Sequence, residues 1–102
     1  MNVTICGFTL FKSRIADNLI ESLLKYATLL DEHEAFDTKL LISDIIFRFD
    51  SVNEAALRLK CATYVFMRKQ YMAKTTYEHF CREYKSLYDE PFEHSFNSII
   101  SQ

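Results

Sequence analysis

The stretch SVNEAALRLKCATYVFMRKQ, residues 51–70, decides how this chain is read. Val52, Ala55, Leu59, Ala62 and Phe66 recur at intervals of three and four residues. That spacing lines one face of a helix and predicts a single element from about 52 to 72. The same residues also divide into two shorter helices around a tight turn at Lys60. Both readings are helical, and they differ in what the segment presents to its surroundings.

Outward from this stretch the helical period persists. Ile15, Leu19, Ile20, Leu23, Ala27 and Leu30 predict an amphipathic helix from Ser13, its N-cap, to about Leu30. Glu21 and Lys25 stand in the favourable order for an i,i+4 pair. The acids of DEHEAFD (31–37) are poor partners for a helix C-terminus, so the helix is expected to stop before them. A second helix is expected over 38–49 with Asp37 as cap, and it is apolar on nearly every side. Ser51 with Glu54, and Thr75 with Glu78, have capping-box spacing and predict helix starts near 52 and 76. Asp89-Glu90-Pro91 is expected to close the helix from 76 and open a last one, with Phe92, Phe96 and Ile99 on one face.

Only the opening NVTICGFTLF (2–11) breaks the helical pattern. Val3, Ile5, Phe8 and Leu10 alternate with Thr4, Cys6 and Thr9 around Gly7, which predicts a short strand or hairpin. One glycine and one proline in 102 residues leave little for turns, which favours long helices over sheets. The expected fold is therefore predominantly all-α. It is a single domain, residues 1–102, forming a compact bundle of four or five helices with a short N-terminal β-strand or hairpin.

The net charge is −2, unevenly spread: residues 1–57 carry 5 basic and 9 acidic groups, residues 58–102 carry 7 and 5. Three cysteines, an odd number, suit a reducing compartment. The opening apolar stretch lacks a basic n-region and is too short for a signal-peptide core. No run approaches membrane-spanning length. The expectation is a soluble, cytoplasmic protein.

VNEAALRLKCATYVF (52–66) resembles the helix-turn-helix motif of DNA-binding regulators. Ala55 and Ala56 match its small residues, Leu59 its core leucine, Cys61 the apolar residue after the turn, and Phe66 the core of the second helix. The resemblance implies DNA contacts from Thr63, Tyr64, Arg68, Lys69 and Lys74. Two positions depart from the pattern. Lys60 stands where glycine is usual, and Lys69 stands where an apolar residue is expected.

Catalytic and metal-binding patterns are missing. His79 and Cys81 are two residues apart, which on a helix directs them away from each other, and no zinc-ligand pair is spaced for tetrahedral coordination. With one glycine there is no phosphate-cradling loop, Rossmann fingerprint or nucleophile elbow. No enzyme, cofactor, metal or small-molecule substrate is expected. Tyr71, Tyr77, Tyr84 and Tyr88 fall among basic residues including Arg82, a mixture enriched at binding hot spots. With Phe47 they are the expected protein interface; Phe49 and the edge over residues 3–10 are expected at a contact between copies. The functional expectation is a small regulatory or interaction protein that binds a partner protein, as adaptor or inhibitor, and self-associates. The alternative is a helix-turn-helix DNA-binding regulator using residues 51–70.

Overall fold

The computed structural model describes residues 14–31 and 35–101. Five helices follow one another: α1 (Asn2–Thr28, described from Arg14), α2 (Phe36–Phe49), α3 (Glu54–Phe66), α4 (Gln70–Tyr88) and α5 (Phe96–Ile100). The predominantly helical expectation holds. The expected strand or hairpin over 2–11, and the edge contact over 3–10, lie outside the described residues.

The deciding stretch follows neither reading to its end. α3 runs unbroken through Lys60, as the apolar period requires, so there is no turn at that position. It stops at Phe66, six residues short of the expected end near 72. Met67 caps it, and Arg68 takes a left-handed conformation with φ 62°. The Lys69 amide donates back to the Tyr64 carbonyl at 2.8 Å, and the Arg68 amide to that of Val65 at 3.0 Å. This is the Schellman arrangement that ends helices, with Arg68 where glycine is usual. No glycine or proline marked it, so the sequence concealed it.

Other boundaries shift for equally local reasons. The cap of α3 is Asn53, whose Oδ1 accepts from the Ala56 amide at 2.9 Å; Ser51 lies in the preceding turn. α2 starts at Phe36 after a left-handed Ala35, so Asp37 sits in its first turn and does not cap it. The expected start near 76 is wrong. Thr75 and Thr76 are inside α4, and their hydroxyls donate to the carbonyls of Tyr71 (3.0 Å) and Met72 (2.9 Å). A threonine hydroxyl that bonds one turn back is satisfied within a helix and need not cap one. α4 ends on a left-handed Asp89, as the Asp-Glu-Pro signal suggested. No helix begins at Pro91; Ser95 caps the short α5, accepting from the Ser98 amide.

Two apolar clusters hold the fold. The first gathers Ile20 and Ala27 of α1, Ile42 and Ile46 of α2 and Ala56 of α3. The second gathers Leu57 and Cys61 of α3, Ala73 and Phe80 of α4 and Ile99 of α5. Phe47 packs against both. Lys39 is buried in α2, with its stem among apolar neighbours and its Nζ donating to the Asp31 carbonyl just past α1. An ammonium there complements the negative end of the α1 dipole. The molecule measures 52 × 32 × 17 Å.

Candidate interaction surfaces

Three surfaces are candidates for contact: the aromatic face of α4, the corner between α3 and α4, and the outer faces of α1 and α3.

The aromatic residues mostly face inward. Tyr77, Phe80 and Tyr84 lie on successive turns of α4 and surround Phe92, with ring centroids 6.3, 4.9 and 5.2 Å from it. The Tyr77 hydroxyl donates to the His94 carbonyl at 2.6 Å. This clasp fastens the irregular segment after α4 to the bundle. Burial, and then the neighbouring Cys81 thiol, push the Tyr77 phenol up to about 12. The Tyr84 phenol is also raised, first by desolvation and then by the carboxylates of Glu90 and Glu93. Of the expected protein-interface residues, Tyr77 and Tyr84 are therefore half-buried and engaged internally. Phe47 is half-buried as well, 6.4 Å from Phe80 with the Lys60 ammonium 6.0 Å above its ring. Tyr71, Arg82 and Tyr88 are exposed, and Tyr71 and Arg82 share the solvent side of α4.

The residues proposed for DNA contact are likewise divided. Thr63 is buried, and its hydroxyl donates to the Leu59 carbonyl at 2.7 Å, so it is not a surface contact. Tyr64 packs against the second cluster. Arg68, Lys69 and Lys74 are exposed around the start of α4, whose first turn carries no acid. The structure thus brings the cations together at the α3–α4 corner while moving the turn away from Lys60.

A groove of about 600 Å³ opens between the end of α1 and the outer face of α3. Its walls include Leu24 and Ala27 from α1 and Ala55, Leu59, Ala62 and Phe66 from α3. The spacing of these α3 residues, four, three and four, was readable as a helix face, but its exposure was not. A smaller cleft of about 320 Å³ lies between Phe47, Lys60 and His79. There Lys60 is held by Asp44 at 2.9 Å.

A polar cluster at the base of α3 joins the i,i+4 pair Glu54 and Arg58 to the distant His94, a contact that spacing does not reveal. Arg58 donates through Nε (3.1 Å) and an Nη (2.9 Å) to one oxygen of Glu54, and the other oxygen lies 3.8 Å from His94 Nε2. Cys61 is fully buried, its Sγ 3.4 Å from the Ala73 carbonyl, and burial pushes its thiol up to about 12 against a smaller pull from Lys60. Such a thiol is packing material, protonated at neutral pH. Among the described residues no three His, Cys, Asp or Glu converge as a metal site would require, and no helix is long and apolar enough to cross a membrane.

No protein-family model, no curated protein and no solved structure matches this chain.

Proposed function

We propose that this chain is a non-catalytic helical module that acts by binding another protein, a second copy of itself included. One observation carries the reading: large apolar side chains stand in water on a thin, elongated molecule. Ile15, Tyr26, Leu29, Leu41 and Phe49 are each more than half exposed. The radius of gyration is 15.1 Å, against about 13 Å for a compact domain of this length. The accessible surface is 7334 Å² for a chain of 12.1 kDa. A compact monomer of that mass exposes about 6,000 Å².

The test is affinity capture by the full-length chain from its native cells, with nuclease treatment and a high-salt wash. The reading requires a protein that survives both treatments and is lost when exposed apolar residues are replaced, as in Phe66→Glu with Leu41→Glu. It is overturned if all bound material is released by nuclease.

A second reading, nucleic-acid binding, draws on Arg68, Lys69 and Lys74 around the start of α4. There the positive helix end adds to the cations' field, and phosphates would be attracted. In that case affinity falls steeply with salt, and Arg68→Ala with Lys69→Ala lowers the slope of log K against log salt by up to about 2. A salt-insensitive affinity excludes it.

A further inference from the structure

Three helices meet around the smaller cleft, and the polar groups they turn into it carry no negative charge. Phe47 of α2 and Phe80 of α4 form its apolar wall, with ring centroids 6.4 Å apart. Lys60 enters from the middle of α3, Ser51 from the turn before that helix and His79 from α4. Among the described residues no carboxylate lines the space. Asp50, next to Ser51 in sequence, folds back into its own turn, where it accepts from the Val52 amide at 3.2 Å and from Asn53 Nδ2 at 3.4 Å.

The available donors come from three separate elements. The Lys60 side chain is only 22 % exposed, so water screens its ammonium less than at an open surface. Asp44 accepts one of its protons at 2.9 Å, and an ammonium has three to give. Asp44 is itself 54 % exposed, which makes it a weak rival for the charge. The Ser51 hydroxyl has no partner among the described residues, and the exposed His79 ring can donate from a nitrogen. Thr75 and Thr76 add no donor, because their hydroxyl protons go back to the Tyr71 and Met72 carbonyls. A point charge with two further donors around it suits the several oxygens of a phosphate. The half-buried Phe47 offers a ring face or edge to a second flat group. A volume of about 320 Å³ is near the bottom of the range of ligand pockets, roughly 300–1,000 Å³, and holds one ring with its charged substituent.

We infer that this cleft binds a phosphate monoester carried on a flat aromatic group, with the phosphate on Lys60, Ser51 and His79 and the ring against Phe47. The site is distinct from the exposed apolar surfaces on which the protein-binding reading rests, so neither depends on the other.

Titration of the full-length, isotope-labelled chain with phenyl phosphate, followed by amide NMR, tests the inference. Shifts should concentrate at Phe47, Ser51, Lys60 and His79 and saturate in the millimolar range. Phenol, which lacks the charge, and inorganic phosphate, which lacks the ring, should each bind more weakly. Lys60→Gln should weaken phenyl phosphate roughly tenfold, the worth of one charge-assisted hydrogen bond. Asp44→Asn should move the affinity the other way, about two- to threefold tighter, because the competing carboxylate is gone. His79→Gln, at an exposed position, should weaken binding as well, and it judges the site should Lys60→Gln lose its helical circular dichroism. The same assay separates two sources of such a ligand: tighter binding of adenosine monophosphate than of phenyl phosphate identifies a free nucleotide, and tighter binding of N-acetyl phosphotyrosine amide identifies a phosphorylated protein. Phenyl phosphate that leaves the resonances of the cleft unmoved overturns the inference. So does binding that is unchanged in Lys60→Gln and His79→Gln, or weaker in Asp44→Asn.

Discussion

Replacing Phe92 by alanine should release the C-terminal segment from the bundle. The ring is half-buried and contacts Tyr77, Phe80 and Tyr84, the Phe80 contact being edge-to-face at 4.9 Å and 68°. Aromatic pairs of this kind contribute roughly 0.5–1.5 kcal/mol each beyond their buried area. Truncating a fully buried Phe costs about 3–5 kcal/mol. With Phe92 only partly enclosed, the expected loss is about 2–4 kcal/mol, discounted from that range. For a domain of this size that lowers Tm by roughly 10–25 °C. Urea unfolding followed by far-UV circular dichroism gives the free energy, and near-UV dichroism of the tyrosines reports the clasp directly. Leu87→Ala, at a position 58 % exposed on the same helix, serves as control and should cost less than about 0.5 kcal/mol. Tyr77→Phe removes the hydroxyl bond to His94 and should cost about 1 kcal/mol. Combined with Phe92→Ala it should add less than that, because the carbonyl it served has moved away. A Phe92→Ala loss below about 1 kcal/mol with an unchanged urea slope would refute the clasp.

Arg68→Gly should stabilise the protein by about 1 kcal/mol, because the residue sits at φ 62° in a conformation glycine adopts without strain; thermal unfolding reads the gain, and a loss would mean the guanidinium makes a compensating contact. Asn53→Ala removes the side-chain acceptor of the α3 cap and should cost about 1 kcal/mol by urea titration, with Asn53→Asp recovering most of it. The buried Cys61 thiol holds its proton to about pH 12 when folded, whereas in the unfolded chain it ionises near 8.5. Its contribution is therefore complete below that lower value and is lost as pH rises toward 12, with a slope of at most about 1.4 kcal/mol per pH unit. Urea midpoints measured across this alkaline range should fall less steeply for Cys61→Ala than for the wild type.

Helical periodicity was enough to place α2, α3 and much of α4, because apolar residues spaced three and four apart have one simple way of sharing a face. The breaks were harder to read. Arg68 and Ala35 adopt left-handed conformations usually marked by glycine. The α3–α4 turn therefore reads as uninterrupted helix, with Lys60 as the alternative point of division, and neither reading falls on residues 67–69. Thr75 showed the converse ambiguity, since a hydroxyl that can cap a helix can also bond back within one. The aromatic residues of α4 were visible as a group, but their letters do not state which side they face. Tyr77 and Tyr84 turn inward because Phe92 folds back between them, a long-range contact that sequence spacing does not report. Tyr71 and Arg82, with no ring folding onto them, remain exposed.

The order in which the helices pack bears on how the protein is made. α2 rests on α1, α3 on α2 and α4 on α3, so each element emerging from the ribosome finds its support already synthesised. The exception is the wall of α3 formed by Leu57 and Cys61, which Ile99 helps to seal. That side chain leaves the exit tunnel after every other buried member of its cluster. Until it does, a greasy window stays open on the helices already assembled, and a chain stopped before residue 99 would leave it open for good.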